Sequence, residues 1–296
     1  MFYFLTFIFG TIIGSFLNVV VDRADTKESP LKGRSLCPYC HKTLAWWEMV
    51  PVINYFYLKG RCSSCHHKLS IQYPLIEFLT GLFFALAYHQ FINLPLINNH
   101  IFLSYNLENV FLVISLFFWF YWIFVLIAIS LYDLKKYLIF NEVLFPAIII
   151  SFFWKVLEGI MINVKHLTIL PQTNLLLGSH SYLFGEYSYF VSLFLGIFIG
   201  GGLIAALAYF THEKAMGWGD VFVAVFMGII LGWPETLMAL IIAFLTGGFV
   251  SLILMAFKKK TMKSYLPFAP FLAFGTLAIL LFGDIIIKGY LSILLL

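Results

Sequence analysis

Two aspartates that border apolar stretches carry the chemistry that this sequence suggests. Asp220 ends a Gly-x-Gly-Asp tetrapeptide and opens an apolar run, and Asp133 directly follows another apolar run. An ionisable group in or beside a hydrophobic span is costly, so it is a candidate functional group for which a partner must be sought. Two carboxylates that meet in a membrane would share one proton, as aspartyl-type hydrolysis of a peptide bond requires.

Each aspartate also has a plainer interpretation. Asp220 would cap the N-terminus of the helix that follows it, because Asp favours that position and the helix dipole. Asp133 would be an ordinary charge at the membrane edge that pairs with Lys135 or Lys136, which follow it in the sequence. Gly217 and Gly219 suit the catalytic interpretation, because glycine allows close approach and non-helical torsions beside the acid. Spacing alone leaves both interpretations open.

A second candidate site is formed by cysteine pairs. All four cysteines lie in two Cys-x-x-Cys pairs, Cys37 with Cys40 and Cys62 with Cys65. The two pairs are separated by 21 residues, which approximates a four-thiolate zinc site but is a little longer than the commonest spacing. A tetrahedral Zn²⁺ would hold together a loop that is too short to build its own core.

Haem attachment competes with zinc, because His41 and His66 complete a Cys-x-x-Cys-His pattern after each pair. Attachment of that kind is extracytoplasmic. The segment 22–71, however, contains eight Lys or Arg residues, and such positive loops stay in the cytoplasm. Zinc is therefore favoured, and the cytoplasmic location also argues against structural disulfides. A thioredoxin-like redox role lacks the expected βαβ pattern.

The elements that position these residues are predicted to be membrane helices. Of 296 residues, 62% are hydrophobic and 11% are charged, with a mean hydropathy of +0.96, whereas soluble domains have about 25% charged residues. The net charge of +4 is too small and too localised to indicate nucleic-acid binding. We predict an all-α integral membrane protein with eight spans, at 2–21, 72–93, 109–132, 138–158, 187–210, 219–235, 236–256 and 266–287.

The charges of the loops predict the orientation of these spans. Lys and Arg cluster after the first, third, fifth and seventh spans, which places those loops in the cytoplasm and the N-terminus outside. The first span is expected to stay in the protein as a membrane helix and not to be cleaved as a signal peptide, because its nearest cations follow the apolar run and do not precede it. Asp133 and Asp220 then lie at the same depth, near the cytoplasmic face. The long outer segment 159–186 has no readable role.

Five sequence features follow one another in order along the chain. They are Gly-Ser-Phe-Leu-Asn-Val-Val at 14–20, the cysteine loop ending in Tyr-Pro-Leu-Ile-Glu at 73–77, the stretch headed by residue 133, Gly-Trp-Gly-Asp-Val at 217–221 and Pro-Phe-Ala-Pro-Phe-Leu-Ala at 267–273. Together they resemble the prepilin peptidases, also called type IV leader peptidases. Three departures from the family pattern are Gln72, where arginine is common, a missing proline at Phe140, and Ala269 in place of glycine.

The resemblance implies a bifunctional enzyme of the bacterial inner membrane. Asp133 and Asp220 would alternate as general base and acid to cut type IV prepilins or related pseudopilins after a glycine, on the cytosolic side. The new amine would then be methylated from S-adenosylmethionine. Asn18, Glu48 and Glu77 are polar candidates for the methyl-donor site. Their plainer roles are a helix-packing amide, a solvated loop charge and an anchor at the end of a span.

The predicted domains are a first helix at 1–21, a zinc-binding and methyltransferase-associated loop at 22–71, and a seven-helix peptidase core at 72–296. Two other functions remain open. A transporter would use the aspartates as ion ligands, but it favours midplane acids and internal repeats. A haem-bearing membrane electron carrier would use the cysteine loop. The oligomeric state is not readable from the sequence.

Overall fold

All the regular secondary structure in the described residues is helical. The computed structural model describes residues 2–24, 35–37, 39–92, 107–165, 188–213, 216–257 and 266–294. Much of the predicted outer segment 159–186 and several basic loop residues lie outside these ranges. Within them, the helices confirm the predicted all-α fold.

Nine α-helices and one 3₁₀ helix occur in this described part of the chain. They are α1 Phe2–Arg23, the 3₁₀ helix Trp46–Met49, α2 Ile53–Tyr57, α3 Gln72–Ile92, α4 Leu107–Lys136, α5 Asn141–Lys165, α6 Ser188–Phe210, α7 Trp218–Leu231, α8 Glu235–Ala256 and α9 Ala269–Leu294.

Eight of these helices match the eight predicted spans. By length and composition, six can cross a membrane: α1, α3, α4, α5, α6 and α8. The other two are the shorter apolar helix α7 and the apolar part of α9. Helix α7 ends four residues before its predicted limit, because Gly232 at φ +75° terminates it. Helix α4 instead continues to Lys136, so that Asp133 lies within its last turn.

The chain divides into two compact units. The first comprises Met1–His100 with Val113–Phe124, and the second comprises Ile101–Leu112 with Val125–Leu296. In the first unit, α1 packs closely along α3 because glycines face the contact. A Cβ at Gly10 would lie 2.8 Å from the Cα of Gly81. Small residues at such spacing let membrane helices approach one another.

The second unit contains a similar contact between α6 and α7. The carbonyl oxygen of Gly196 lies against Gly228, and a Cβ at Gly200 would lie 2.6 Å from the carbonyl oxygen of Ala224. Gly202 on the same helix faces open space, with nothing within 4 Å of an added Cβ. Close packing on α6 therefore brings α7, which carries Asp220, to a fixed position in the second unit.

The two glycines of α6 form a matched test of this packing. Both Gly200→Ala and Gly202→Ala gain the same helix propensity, about 1 kcal/mol. Only Gly200→Ala forces a Cβ against a backbone oxygen, so we expect it to be less stable than Gly202→Ala by roughly 1–3 kcal/mol. Thermal unfolding of the purified proteins in detergent, followed by circular dichroism, measures the difference. Equal stability of the two variants would contradict the close contact of α6 with α7.

Candidate active site and metal centre

Asp133 is a buried carboxylate that is held by another helix. It lies in the last turn of α4 and is 5% exposed. Its Oδ2 accepts a hydrogen bond of 3.2 Å from the backbone N–H of Ala269, the first residue of α9. Tyr137 ends α4 at φ +57° and donates its N–H to the Asp133 carbonyl at 2.8 Å. A solvated charge at the membrane edge would have neither this burial nor this donor.

Asp220 lies in the first turn of α7, where it is partly buried. Gly217 is the N-cap residue, and its backbone N–H donates to Asp220 Oδ2 at 3.3 Å. Asp220 therefore supports the start of the helix from the third helical position, whereas the plainer interpretation expected it at the N-cap itself. A carboxylate in this turn also benefits from the helix dipole.

The structure brings the two aspartates into one site in the second unit. They are close enough for the charge of Asp220 to act on Asp133, although they belong to different helices. Two carboxylates in a partly desolvated site can divide their roles, with one ionised and one protonated. The ionised group can take a proton from water, and the protonated group can donate to a carbonyl oxygen.

The two glycines of the tetrapeptide have different roles. A Cβ at Gly219 would collide with the side chain of Ile139, so glycine lets α7 begin against the short connection between α4 and α5. Gly217 has φ −83° and ψ 159°, an extended conformation that other residues also adopt. The predicted close approach is therefore found at Gly219, whereas the torsions of Gly217 do not require glycine.

The four cysteines form a cluster in the first unit that suits a metal ion. Their sulfur atoms all lie within 4.8 Å of one another, and the sulfurs of Cys37 and Cys65 are 3.9 Å apart. Tetrahedral zinc with four thiolates at about 2.3 Å places sulfurs roughly 3.8 Å apart. The donors and their spacing therefore fit such an ion.

Each cysteine pair is folded into the same turn. In both turns the first cysteine donates its N–H to the carbonyl five residues later, and the histidine N–H returns to the first cysteine's carbonyl, at 3.0 Å each. His41 and His66 occupy the left-handed region, at φ +55° and +54°, and both are exposed. Each histidine therefore occupies the same position with positive φ in its turn. This backbone position accounts for the Cys-x-x-Cys-His pattern.

The thiol chemistry also favours metal binding. The backbone N–H groups of Cys65 and Ser64 hydrogen-bond to the Cys62 sulfur and lower the pKa of that thiol to about 6. Thiolate is the form of cysteine that binds metals. Desolvation and the neighbouring thiols instead raise the pKa of the Cys65 thiol to about 11, so in the metal-free cluster one thiol ionises readily and another keeps its proton until an ion displaces it.

The three polar candidates for a methyl-donor site meet around one cavity in the first unit. The cavity has a volume of about 440 Å³, and Asn18, Glu48 and Glu77 all line it. Asn18 is 3% exposed, and its Nδ2 donates to the Tyr73 carbonyl at 3.3 Å. Its Oδ1 is buried and has no hydrogen-bond partner among the described residues. A buried acceptor normally has a partner, so this oxygen is free to accept a hydrogen bond from a molecule in the cavity.

The two glutamates at the cavity are both bound to backbone N–H groups. Glu48 accepts from Ala45 at 2.7 Å and from the Ser63 hydroxyl, and these bonds hold the pKa of its carboxyl below the usual value. Its side chain is 6% exposed, so it is not the solvated loop charge of the plainer interpretation. Glu77 accepts from the N–H of Val52 at 2.7 Å.

Sequence reasoning missed two polar residues of the same cavity, Asp22 and Tyr73. The Tyr73 hydroxyl donates to Asp22 Oδ2 at 2.9 Å, and both residues line the cavity. A signal for Asp22 was available, because it lies four residues after Asn18 and therefore on the same face of α1. Tyr73 lies within the motif at 73–77, but its hydroxyl partner is 51 residues away.

The turn geometry predicts different effects for cysteine and histidine variants. Cys65→Ser removes a ligand and should abolish stoichiometric metal binding. His66→Gly should keep the metal and tolerate heat at least as well, because glycine adopts positive φ without strain. Metal content by plasma emission spectroscopy and thermal unfolding measure both effects. Loss of metal in His66→Gly would mean that this histidine is a ligand and that the four-thiolate assignment is wrong.

Two family models match separate parts of the chain. The model of the Bacterial Peptidase A24 N-terminal domain matches residues 8–91, and that of the Type IV leader peptidase family matches residues 120–252. The first range contains the cysteine cluster and the cavity, and the second contains both aspartates.

Relatives match the chain over nearly its full length. A protein named prepilin leader peptidase/N-methyltransferase from Bacillus subtilis (strain 168) is 28% identical over 98% of each chain. Proteins of the same name from Aeromonas salmonicida (strain A449) and Legionella pneumophila are 26% and 24% identical, over 100% and 98% of this chain and 96% and 94% of theirs. No solved structure matches significantly. The chain is an enzyme of the type IV leader peptidase family.

Proposed function

We propose that this protein is a membrane-embedded aspartyl endopeptidase that removes the leader of type IV prepilins or related pseudopilins. The observation that carries the proposal is the meeting of Asp133 and Asp220 in one partly desolvated site. The names of the full-length relatives supply the substrate class. Neither a transporter nor a haem carrier explains a carboxylate pair and a cysteine cluster in one chain.

In the proposed reaction one carboxylate takes a proton from water while the water oxygen attacks the scissile carbonyl. The other carboxylate donates its proton to the carbonyl oxygen, and the leaving amine is protonated as the C–N bond breaks. The N–H of Ala269 holds Asp133 in position throughout. Cleavage follows a glycine of the prepilin, as the family resemblance implies.

The site is proposed to open to the cytoplasmic face of the bacterial inner membrane, with the N-terminus outside. The basic loops after alternate spans support this orientation. The proposed division is a first helix at 1–21, a zinc-binding loop at 22–71 and a seven-helix peptidase core at 72–296. The helix α4, which contains Asp133, belongs to that core.

The dyad is tested with Asp133→Asn and Asp220→Asn in the full chain. Each substitution removes one proton-transfer group, so cleavage of a purified prepilin should fall roughly a thousandfold. Asn has the size of Asp, and its amide oxygen can accept the N–H of Ala269 or of Gly217 in place of the carboxylate, so helical content and unfolding temperature should not change. Mass spectrometry of the product measures cleavage, and the exposed carboxylate variant Glu142→Gln is the control. Undiminished cleavage in either aspartate variant would refute the assignment.

A second activity is proposed for the cavity in the first unit, namely N-methylation of the new terminal amine. S-adenosylmethionine would supply the methyl group. Asn18, Glu48 and Glu77 offer acceptors for its ribose hydroxyls and amino groups, and the volume of about 440 Å³ falls within the roughly 300–1,000 Å³ of small-molecule sites. The unpaired Oδ1 of Asn18 and the carboxylate of Glu77 are the strongest of these acceptors, because Glu48 is already bound through both oxygens.

The metal in the cysteine cluster is proposed to be structural Zn²⁺. Four thiolates satisfy zinc in a closed tetrahedral site. In the part of the loop that the structure describes, the buried hydrophobic residues are Cys37 and Cys62 themselves, so a metal would hold together two turns that have no apolar core. Lys42 supports the same arrangement, since its ammonium lies 3.2 Å from the Ser63 hydroxyl of the other turn. The metal would thus hold the wall of the cavity in place.

The methyl-donor assignment predicts that the two activities separate. Asn18→Leu and Glu77→Gln each remove a polar partner that the cofactor would otherwise pair with, so methylation should fall at least about tenfold while cleavage persists. Retained cleavage also reports that the variants are folded. Conversely, Asp133→Asn should still methylate a pilin that was cleaved beforehand. Unchanged methylation in both cavity variants would show that the methyl donor does not bind in this cavity. The peptidase assignment would not be affected by that result.

A further inference from the structure

Five large apolar side chains between the two cysteine turns are more than half exposed. They are Trp46, Trp47, Ile53, Phe56 and Tyr57, here called the aromatic patch, and their exposed fractions run from 58% to 83%. Three of them lie on α2 at positions i, i+3 and i+4, which is one face of a helix. Concentrated exposed apolar surface of this kind marks a site of interaction.

Hydrogen bonds hold the opposite side of α2 towards the interior of the loop, so the side chains of the aromatic patch cannot turn inward. Asn54, Tyr55 and Leu58 line the cavity. The Tyr55 hydroxyl donates to the Leu69 carbonyl at 3.2 Å, and Asn54 Nδ2 donates to the Glu48 carbonyl at 2.6 Å. These bonds hold the polar side of α2 towards the interior of the loop.

A hydrogen bond to α3 determines the depth of the aromatic patch. The N–H of Val52, immediately before α2, donates to Glu77 Oε2 at 2.7 Å. Glu77 is the sixth residue of α3, about 7.5 Å along a helix that is long enough to span the membrane. The beginning of α2 therefore lies beside the first turns of α3. Leu75 and Phe78 of α3 are also exposed there.

We infer that the aromatic patch docks into the phospholipid leaflet, with its side chains between the acyl chains and the headgroups. Trp and Tyr prefer this interfacial layer. The flanking charge fits anionic headgroups, because Lys59 and Arg61 follow the patch and are exposed. The segment 22–71 as a whole has eight Lys or Arg residues against four Asp or Glu, and each cation near such a surface contributes about 1 kcal/mol.

Docking of this kind would place the cavity at the level of the lipid headgroups. Helix α2 forms both the cavity wall and the membrane-facing surface, so the two are about one helix diameter apart, roughly 10 Å. A ligand or a chain terminus would then enter the cavity from the interface and not from bulk cytosol. The inference stands on the contacts of the first unit and does not depend on the proposed activities.

The test uses the full-length enzyme in phospholipid vesicles, with a photoreactive side chain introduced as Phe56→benzoylphenylalanine. Phe4 on α1 has the same exposed fraction as Phe56, 67%, and the same substitution there gives the reference for a lipid-facing position. Thr43, an exposed polar position in the first cysteine turn, gives the reference for a water-facing one. Illumination is done with and without prepilin, and mass spectrometry identifies the adducts.

We expect phospholipid adducts at position 56 in a yield close to that at position 4 and roughly tenfold above that at position 43, with or without prepilin. Replacing anionic lipid by neutral lipid should lower the yield at position 56 about threefold and leave position 4 unchanged. A lipid yield at position 56 no higher than at position 43 would overturn the inference. So would a predominant adduct with prepilin or with a second copy of the chain. A parallel variant, Tyr57→benzoylphenylalanine, should give the same result if the first does not fold.

Discussion

Keeping a carboxylate in an apolar bundle requires polar partners at that depth, and the second unit is arranged around this requirement. Asp133 is almost fully buried, and it receives a backbone N–H from the first turn of α9. Asp220 is supported by the N–H of the residue that begins α7. The N-termini of α7 and α9 therefore each supply one N–H to an acid, because helix N-termini are where a membrane bundle has spare N–H groups.

Glycine contacts make this convergence possible at the backbone level. Gly219 lets the start of α7 lie against Ile139, and the glycines of α6 let the rest of α7 pack closely. The replacement of glycine by Ala269 in the last block costs little in comparison, because Asp133 uses the backbone N–H of that residue and not its side chain. A departure from the family pattern can thus leave the site intact when only the backbone is used.

Much of the site could be predicted because a membrane span and a four-thiolate cluster each impose strong constraints on spacing. Apolar length determined the spans, the rarity of buried acids singled out Asp133 and Asp220, and thiolate spacing singled out the cysteines. Contacts between segments that are distant in the sequence could not be predicted from spacing. Ala269 meets an aspartate 136 residues away, and Val52 meets Glu77 from the far side of a cysteine turn. Helix ends were also difficult, since Gly232 and Tyr137 end helices through local backbone geometry.

The length of α7 has a consequence for the lipid around it. Its 14 residues extend about 21 Å at 1.5 Å per residue, whereas the hydrocarbon layer is about 30 Å thick. Such hydrophobic mismatch makes a bilayer thin locally. We expect the bilayer beside the exposed Trp218 and Phe222 of this short helix to thin in this way. The apolar barrier between water and Asp220, in the first turn of the helix, would then be thinner than the one beside the longer helices.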